Sequence, residues 1–187
     1  MRTTAPGQST LLLLDVIEHL NKQHIPYAII GAFAASFYGV VRASLDADAV
    51  ISILASQDIT NLCQEYRLAG LNAEYRKGDI DDPILGVINI EDSFHNRVDL
   101  LMGIRGMRQE AFARCQEAQF KGTLIRLVSL EDFIALKIFA GSPKDMADAI
   151  GVLDVSGQKI NLNLVKEVTS QFGPDCFQKL QTILKDR

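Results

Sequence analysis

With 187 residues and 48% apolar content, the chain can bury one packed core and is too apolar to remain disordered. A net charge of −4 and no long basic run set aside a protein whose main business is electrostatic nucleic-acid binding, though a local basic groove is not excluded. Cys63, Cys115 and Cys176 are widely spaced with no C-x-x-C, which excludes a disulfide framework and fits a reducing compartment.

Residues 1–7 read as a loose tail. Ser9 or Thr10 can cap a helix running to about residue 23, with Leu12, Val16 and Leu20 on its buried side. The apolar run at 11–14 is too short to span a membrane and has no cleavage pattern, so a cytoplasmic protein is the expectation. Pro26 stops the helix, and residues 27–30 form a short buried strand. Gly31 follows, then a helical stretch over 32–38 that Gly39 closes as a left-handed residue. Gly31 at such a strand-to-helix junction lets a phosphate approach backbone N–H groups.

The next segment, S-L-D-A-D-A-V-I, is a second strand. Side chains two apart on a strand share a face, so Asp46 and Asp48 present two carboxylates side by side. Asp is a poor strand former, and two close like charges repel unless a cation sits between them. Magnesium suits such oxygen donors. A solvated strand end is the plainer alternative. Asp99 lies in a further strand-like run, R-V-D-L-L-M-G. Two aspartates on one strand and a third on its neighbour are what a two-metal phosphoryl-transfer site needs.

Ser56 and Asp58 offer caps for a helix to about residue 69, ended by Gly70. Residues 72–76 form a strand. The acidic stretch K-G-D-I-D-D-P is a solvated turn, since it lacks the ligand series of a calcium loop. Strands at 84–90 and 97–102 are joined by a short turn and run antiparallel. A helix is expected over 107–117, and a small hairpin or edge strand over 120–127. From Ser129 onward the chain is helical. Ser129 with Glu131 and Asp132 opens a helix to Ala140, and Pro143 starts another ending near Gly157. Two more follow, at 162–172 and 174–185. Of the histidines, His19 and His24 belong to a helix surface or end, and His95 to a turn.

The ordered set G-A-x-A, Y-G-x-x-R-x-S-x-D-x-D, R-V-D-L-L, S-L-E-D-F-I-A-L-K and K-D-M-A-D resembles the nucleotidyltransferase superfamily of DNA polymerase β-like fold, over about residues 25–153. Bacterial AbiEii-type toxin nucleotidyltransferases are the nearest in look. The resemblance implies an α+β fold: a mixed β-sheet flanked by helices over 1–128, and a helical region, 129–187, packed on it. It also implies transfer of a nucleoside monophosphate from an NTP to a hydroxyl of RNA, protein or a small molecule. Two Mg2+ ions would be held by Asp46, Asp48 and Asp99, with Asp99 the base or a ligand of the catalytic ion.

Nucleotide contacts are implied for Gly31, Ala32, Arg42, Ser44, Lys137, Lys144 and Asp145. tRNA or a protein is implied as acceptor, and an antitoxin protein as partner. The pattern departs in places. Ala32 stands where relatives carry Gly or Ser, Ser44 where they carry Thr, and Gly141-Ser142 where they carry Arg. The alternative expectation is a catalytically degenerate protein of this fold that binds nucleotide, RNA or a partner.

Overall fold

A computed structural model describes residues 1–185. Seven strands form one mixed sheet, in the order β3-β4-β5-β2-β1-β7-β6. In chain order the elements are α1 (Ser9–Lys22), β1 (Tyr27–Ile29), α2 (Gly31–Phe37), β2 (Asp46–Ile51), α3 (Ser56–Leu68), β3 (Asn72–Lys77), β4 (Gly86–Glu91), β5 (Arg97–Met102), α4 (Glu110–Ala113), β6 (Gln116–Phe120), β7 (Thr123–Leu127), α5 (Leu130–Ala140), α6 (Pro143–Ser156), α7 (Leu162–Ser170) and α8 (Pro174–Lys185). The architecture is α+β, as expected. Among the described residues no helix is long and apolar enough to cross a membrane.

Strand β2 runs parallel to β5 and antiparallel to β1, so it sits at the sheet's centre. Period-2 alternation decides which face is covered. Ala47, Ala49, Val98, Leu100, Ile88, Ile90 and Ala73 point inward and are buried, with α1 and α3 packed on that side. Their neighbours Asn72, Glu74, Arg76, Asn89, Glu91 and Arg97 face outward, half-buried to exposed. Helices α5 to α8 pack on one another beyond the β1 and β7 side. The carboxylates of β2 therefore lie between an open polar half-sheet and the helical region.

Helix starts at the carboxy-terminal end follow the expected chemistry. The Ser129 hydroxyl accepts from the Asp132 amide, and Ser142 accepts from the Asp145 amide ahead of Pro143. Gly141, with φ +69°, closes α5 in the left-handed region.

Four expectations are corrected. The helix expected over 107–117 is only the four-residue α4, and residues 116–120 form β6 instead. Lys121 and Gly122, both at positive φ, make the two-residue turn that folds β6 onto β7, so edge pairing outweighs the helical propensity of that stretch. The tail is not loose: Arg2 bridges Asp15 and Glu18 of α1, and Asn96 binds the carbonyl of Ala5 and the amide of Gln8. Gln8, not Ser9 or Thr10, precedes α1, and it caps nothing with its side chain. Ala55 likewise precedes α3, so Ser56 and Asp58 are not caps. The Ser9 hydroxyl is used elsewhere. It donates to the Leu45 carbonyl at 2.5 Å and accepts from the Arg97 amide at 3.0 Å, clamping the start of β2 to the start of β5.

Candidate functional site

The parallel register of β2 and β5 sets Asp46 beside Arg97 and Asp48 beside Asp99. Ligand oxygens of Asp46, Asp48 and Asp99 lie within 4.8 Å of one another, which a metal ion could bridge. Three carboxylates so close cannot all ionise without penalty. Burial, helped by the charges of Asp46 and Asp99, pushes the Asp48 carboxyl up to about 6, against the pull of Lys137 and Arg42. The donor set is all oxygen and half-buried, which suits a hard divalent cation. Arginine does not lock the trio. The nearest guanidinium, Arg97, stands 3.7 Å from Asp99 Oδ1.

Each carboxylate is steered by a neighbour. The Ser44 hydroxyl donates to Asp46 Oδ1 at 2.8 Å. Asn89 Nδ2 donates to Asp99 Oδ1 at 2.7 Å. Asp48 is fitted against Gly31, whose φ is +64° and where an added Cβ would stand 2.2 Å from Asp48 Oδ2. The Ile30 amide also donates to the Asp48 carbonyl, so the β1–α2 junction is pinned to the aspartate strand. Glycine is required there twice, by backbone and by space.

Beside this group opens a cleft of about 540 Å³, lined by Gly31, Asp48, Lys137 and Asp145 with a mostly apolar remainder that includes Pro83, Ile104, Phe133 and Phe139. Lys137 is buried, its ammonium 2.7 Å from Asp145 and 2.9 Å from Asp148. One N–H is hydrogen-bonded to Asp145 and Asp148 is a second ion-pair partner, so the ammonium keeps donor capacity for a ligand. Asp148 also takes Arg42 Nε at 3.1 Å. Arg42 Nη1 is buried without a hydrogen-bond partner among the described residues. Lys137 of the cleft is thereby joined to Arg42 behind it by a network, Arg42–Asp148–Lys137–Asp145, that ties the loop before β2 to α5 and α6. Lys137 and the Ser142 hydroxyl hold the Asp145 carboxyl below its usual range against the effect of burial.

The other expected residues divide. Gly31, Lys137 and Asp145 line the cleft, while Ala32 is buried behind it in α2. Lys144 is exposed on the first turn of α6 and does not line the cleft. His95, exposed in its turn, is paired with Glu91 at 2.6 Å, and His19 with Glu65 at 2.5 Å, so neither serves the triad. Sequence reasoning missed Asn89 and the ionic role of Asp148. The i, i+3 spacing of Asp145 and Asp148 on one helix face was the available signal for Asp148. A lone Asn inside an apolar strand gave none.

No family model and no curated protein sequence matches the chain. Solved structures do. ANT(2'')-Ia, in complex with adenylyl-2''-tobramycin, superposes with a TM-score of 0.58 at 17% identity, over 88% of this chain and 96% of that one. An antigenic nucleotidyltransferase-like protein from Paracoccidioides brasiliensis gives 0.53 at 18%, over 98% and 95%. The lincosamide antibiotic adenylyltransferase LnuA, lincomycin-bound, gives 0.51 at 13%, over 82% and 99%. At these identities the likeness shows the fold, and the fold is that of the nucleotidyltransferases. The nearness to AbiEii-type toxins is not confirmed by these neighbours.

Proposed function

We propose that the protein is a metal-dependent nucleotidyltransferase that moves a nucleoside monophosphate from an NTP to a hydroxyl acceptor. The observation that carries this reading is the convergence of Asp46, Asp48 and Asp99 from two neighbouring strands beside a cleft that also holds Gly31 and Lys137. The acceptor hydroxyl oxygen attacks the α-phosphorus, the bond to the bridging oxygen breaks, and pyrophosphate leaves. The hydroxyl proton passes to a carboxylate oxygen of Asp99. Asp46, Asp48 and Asp99 would hold Mg2+, which when bound supplies the charge that draws attacking and leaving oxygens into line.

This chain's own residues do the positioning. Gly31 gives the triphosphate an unobstructed backbone. An N–H of Lys137 meets a phosphate oxygen, and Arg42, paired with Asp148 behind the cleft, adds the positive charge that relatives place just before α6. Ser44 keeps Asp46 in place. Strands β2 and β5 carry the triad, and α5 with the first turn of α6 lines the opposite wall of the cleft. ANT(2'')-Ia and LnuA, by their names and ligands, act on antibiotics, and we take a small hydroxylated molecule as the favoured acceptor here. tRNA, a protein side chain and an antitoxin partner rest on sequence resemblance alone.

A second reading, nucleotide binding without turnover, is favoured by one observation: Lys137 is held by two carboxylates before any ligand arrives. One experiment separates the two. The purified chain is incubated with Mg2+, each α-labelled NTP in turn, and a panel of small hydroxylated acceptors and RNA. Transfer of label with pyrophosphate release, abolished in Asp48→Ala, is the expected result. Mg2+-dependent NTP binding with no transfer would establish the second reading.

A further inference from the structure

Asn89 stands directly opposite Asp99 in the antiparallel register of β4 and β5. Its amide nitrogen donates to Asp99 Oδ1 at 2.7 Å, and its amide oxygen accepts from Arg76 Nε at 3.0 Å. Arg76 sits on the edge strand β3, whose Glu74 is the residue facing Asn89, so the guanidinium reaches it on the diagonal. The two bonds determine which way the amide points. Reversed, it would set oxygen against carboxylate and N–H against guanidinium.

Asp99 Oδ1 is thus engaged by Asn89, with the Arg97 guanidinium 3.7 Å away, while no hydrogen-bonding partner meets Oδ2 among the described residues. A carboxylate tethered by one oxygen presents the other in a single orientation. Asp99 is half-buried on the outward face of β5, and with neither oxygen held its carboxylate would turn about the Cβ–Cγ bond. We propose that Asn89 is a positioning residue for Asp99, and that Arg76 secures Asn89, forming a relay from the free sheet edge to the triad. Neither residue touches the reacting atoms. The inference rests on the reading that Asp99 serves the triad as a metal ligand, and it goes beyond that reading in naming what aims it.

The test measures binding of Mn2+ to the purified chain by electron paramagnetic resonance of the free ion. Wild type, Asn89→Ala, Arg76→Ala and the double variant are compared, with thermal melts confirming that each is folded. Hydrogen-bonding partners of metal-ligating carboxylates are worth about 10- to 100-fold in affinity or activity. Asn89→Ala is expected to weaken Mn2+ binding about 10-fold, and Arg76→Ala by less. The double variant should be no weaker than Asn89→Ala, because Arg76 acts only through Asn89. Where transfer is measurable, kcat falls and the KM for NTP stays within about twofold. Unchanged Mn2+ affinity in folded Asn89→Ala overturns the relay and leaves the transferase reading standing. Losses that multiply in the double variant overturn the role of Arg76. Weakened binding in a chain that transfers nothing supports the relay and removes the transferase reading. No Mn2+ binding by wild type removes both.

Discussion

Replacing Asp48 by Asn should make the metal-free protein more stable at neutral pH, although it removes a residue of the site. The carboxyl is raised to about 6 from an ordinary 3.8, by burial first and then by Asp46 and Asp99. A group raised in the folded state contributes stability that is complete below pH 3.8 and is lost as pH climbs through about 6. The full gap corresponds to roughly 3 kcal/mol at about 1.36 kcal/mol per pH unit. About 1.4 kcal/mol of it is lost between pH 5 and pH 7.5. Asn has nearly the same shape, so it keeps the fit against Gly31 and carries no charge. For a chain of this size, 1.4 kcal/mol is about 3–5 °C in Tm. Thermal melts in chelator at pH 5 and 7.5 should show wild type falling by that much relative to Asp48→Asn. Adding Mg2+ at pH 7.5 should recover the loss in wild type only. A variant less stable than wild type at pH 7.5 in chelator, or a difference that does not change with pH, would refute the argument.

Other outcomes follow from the same geometry. Gly31→Ala forces a non-glycine residue to φ +64° and drives a methyl to 2.2 Å from Asp48 Oδ2. It should lower stability by about 1–2 kcal/mol, read from a denaturant titration, and transfer activity by about 100-fold through displacement of the carboxylate. Asp148→Ala strips Arg42 of its ion pair and Lys137 of one of two, and breaking a buried pair costs about 3–5 kcal/mol. A fall in Tm of at least about 6 °C is expected by calorimetry. Lys144→Ala, by contrast, alters an exposed side chain outside the cleft. NTP affinity should stay within about twofold of wild type by isothermal titration.

Strand alternation was the most legible feature of the sequence. Asp46 and Asp48 two apart, and Asp99 in a run of apolar residues, gave the sharing of a face and the neighbouring strand before any coordinates. Glycine and proline punctuation did as well for Gly39, Gly141 and Pro143, because positive φ and a missing N–H are local constraints. The stretch after Gly106 was not legible. Its Arg, Gln, Glu and Ala content favours a helix, and only the demand of β7 for an edge partner turns residues 116–120 into a strand. The tail failed for a similar reason, since Arg2 finds Asp15 and Glu18 only once α1 is in place. Within the site, the carboxylates and Gly31 were readable as types and spacings. The Asn89 amide that aims Asp99 was not, nor was the pairing of Arg42 with Asp148, because each contact joins separate segments through sheet order or helix docking rather than through local pattern. Lys144 is adjacent to Asp145 in sequence, but successive helix residues do not share a face, and it stands exposed outside the cleft.

A crystal structure of the wild-type chain with Mg2+ and a non-hydrolysable NTP tests the central claim most directly. Metal is expected on carboxylate oxygens of Asp46, Asp48 and Asp99, with the triphosphate against the Gly31 backbone and the Lys137 ammonium. Nucleotide seated away from the cleft, or metal that none of the three aspartates touches, would contradict it.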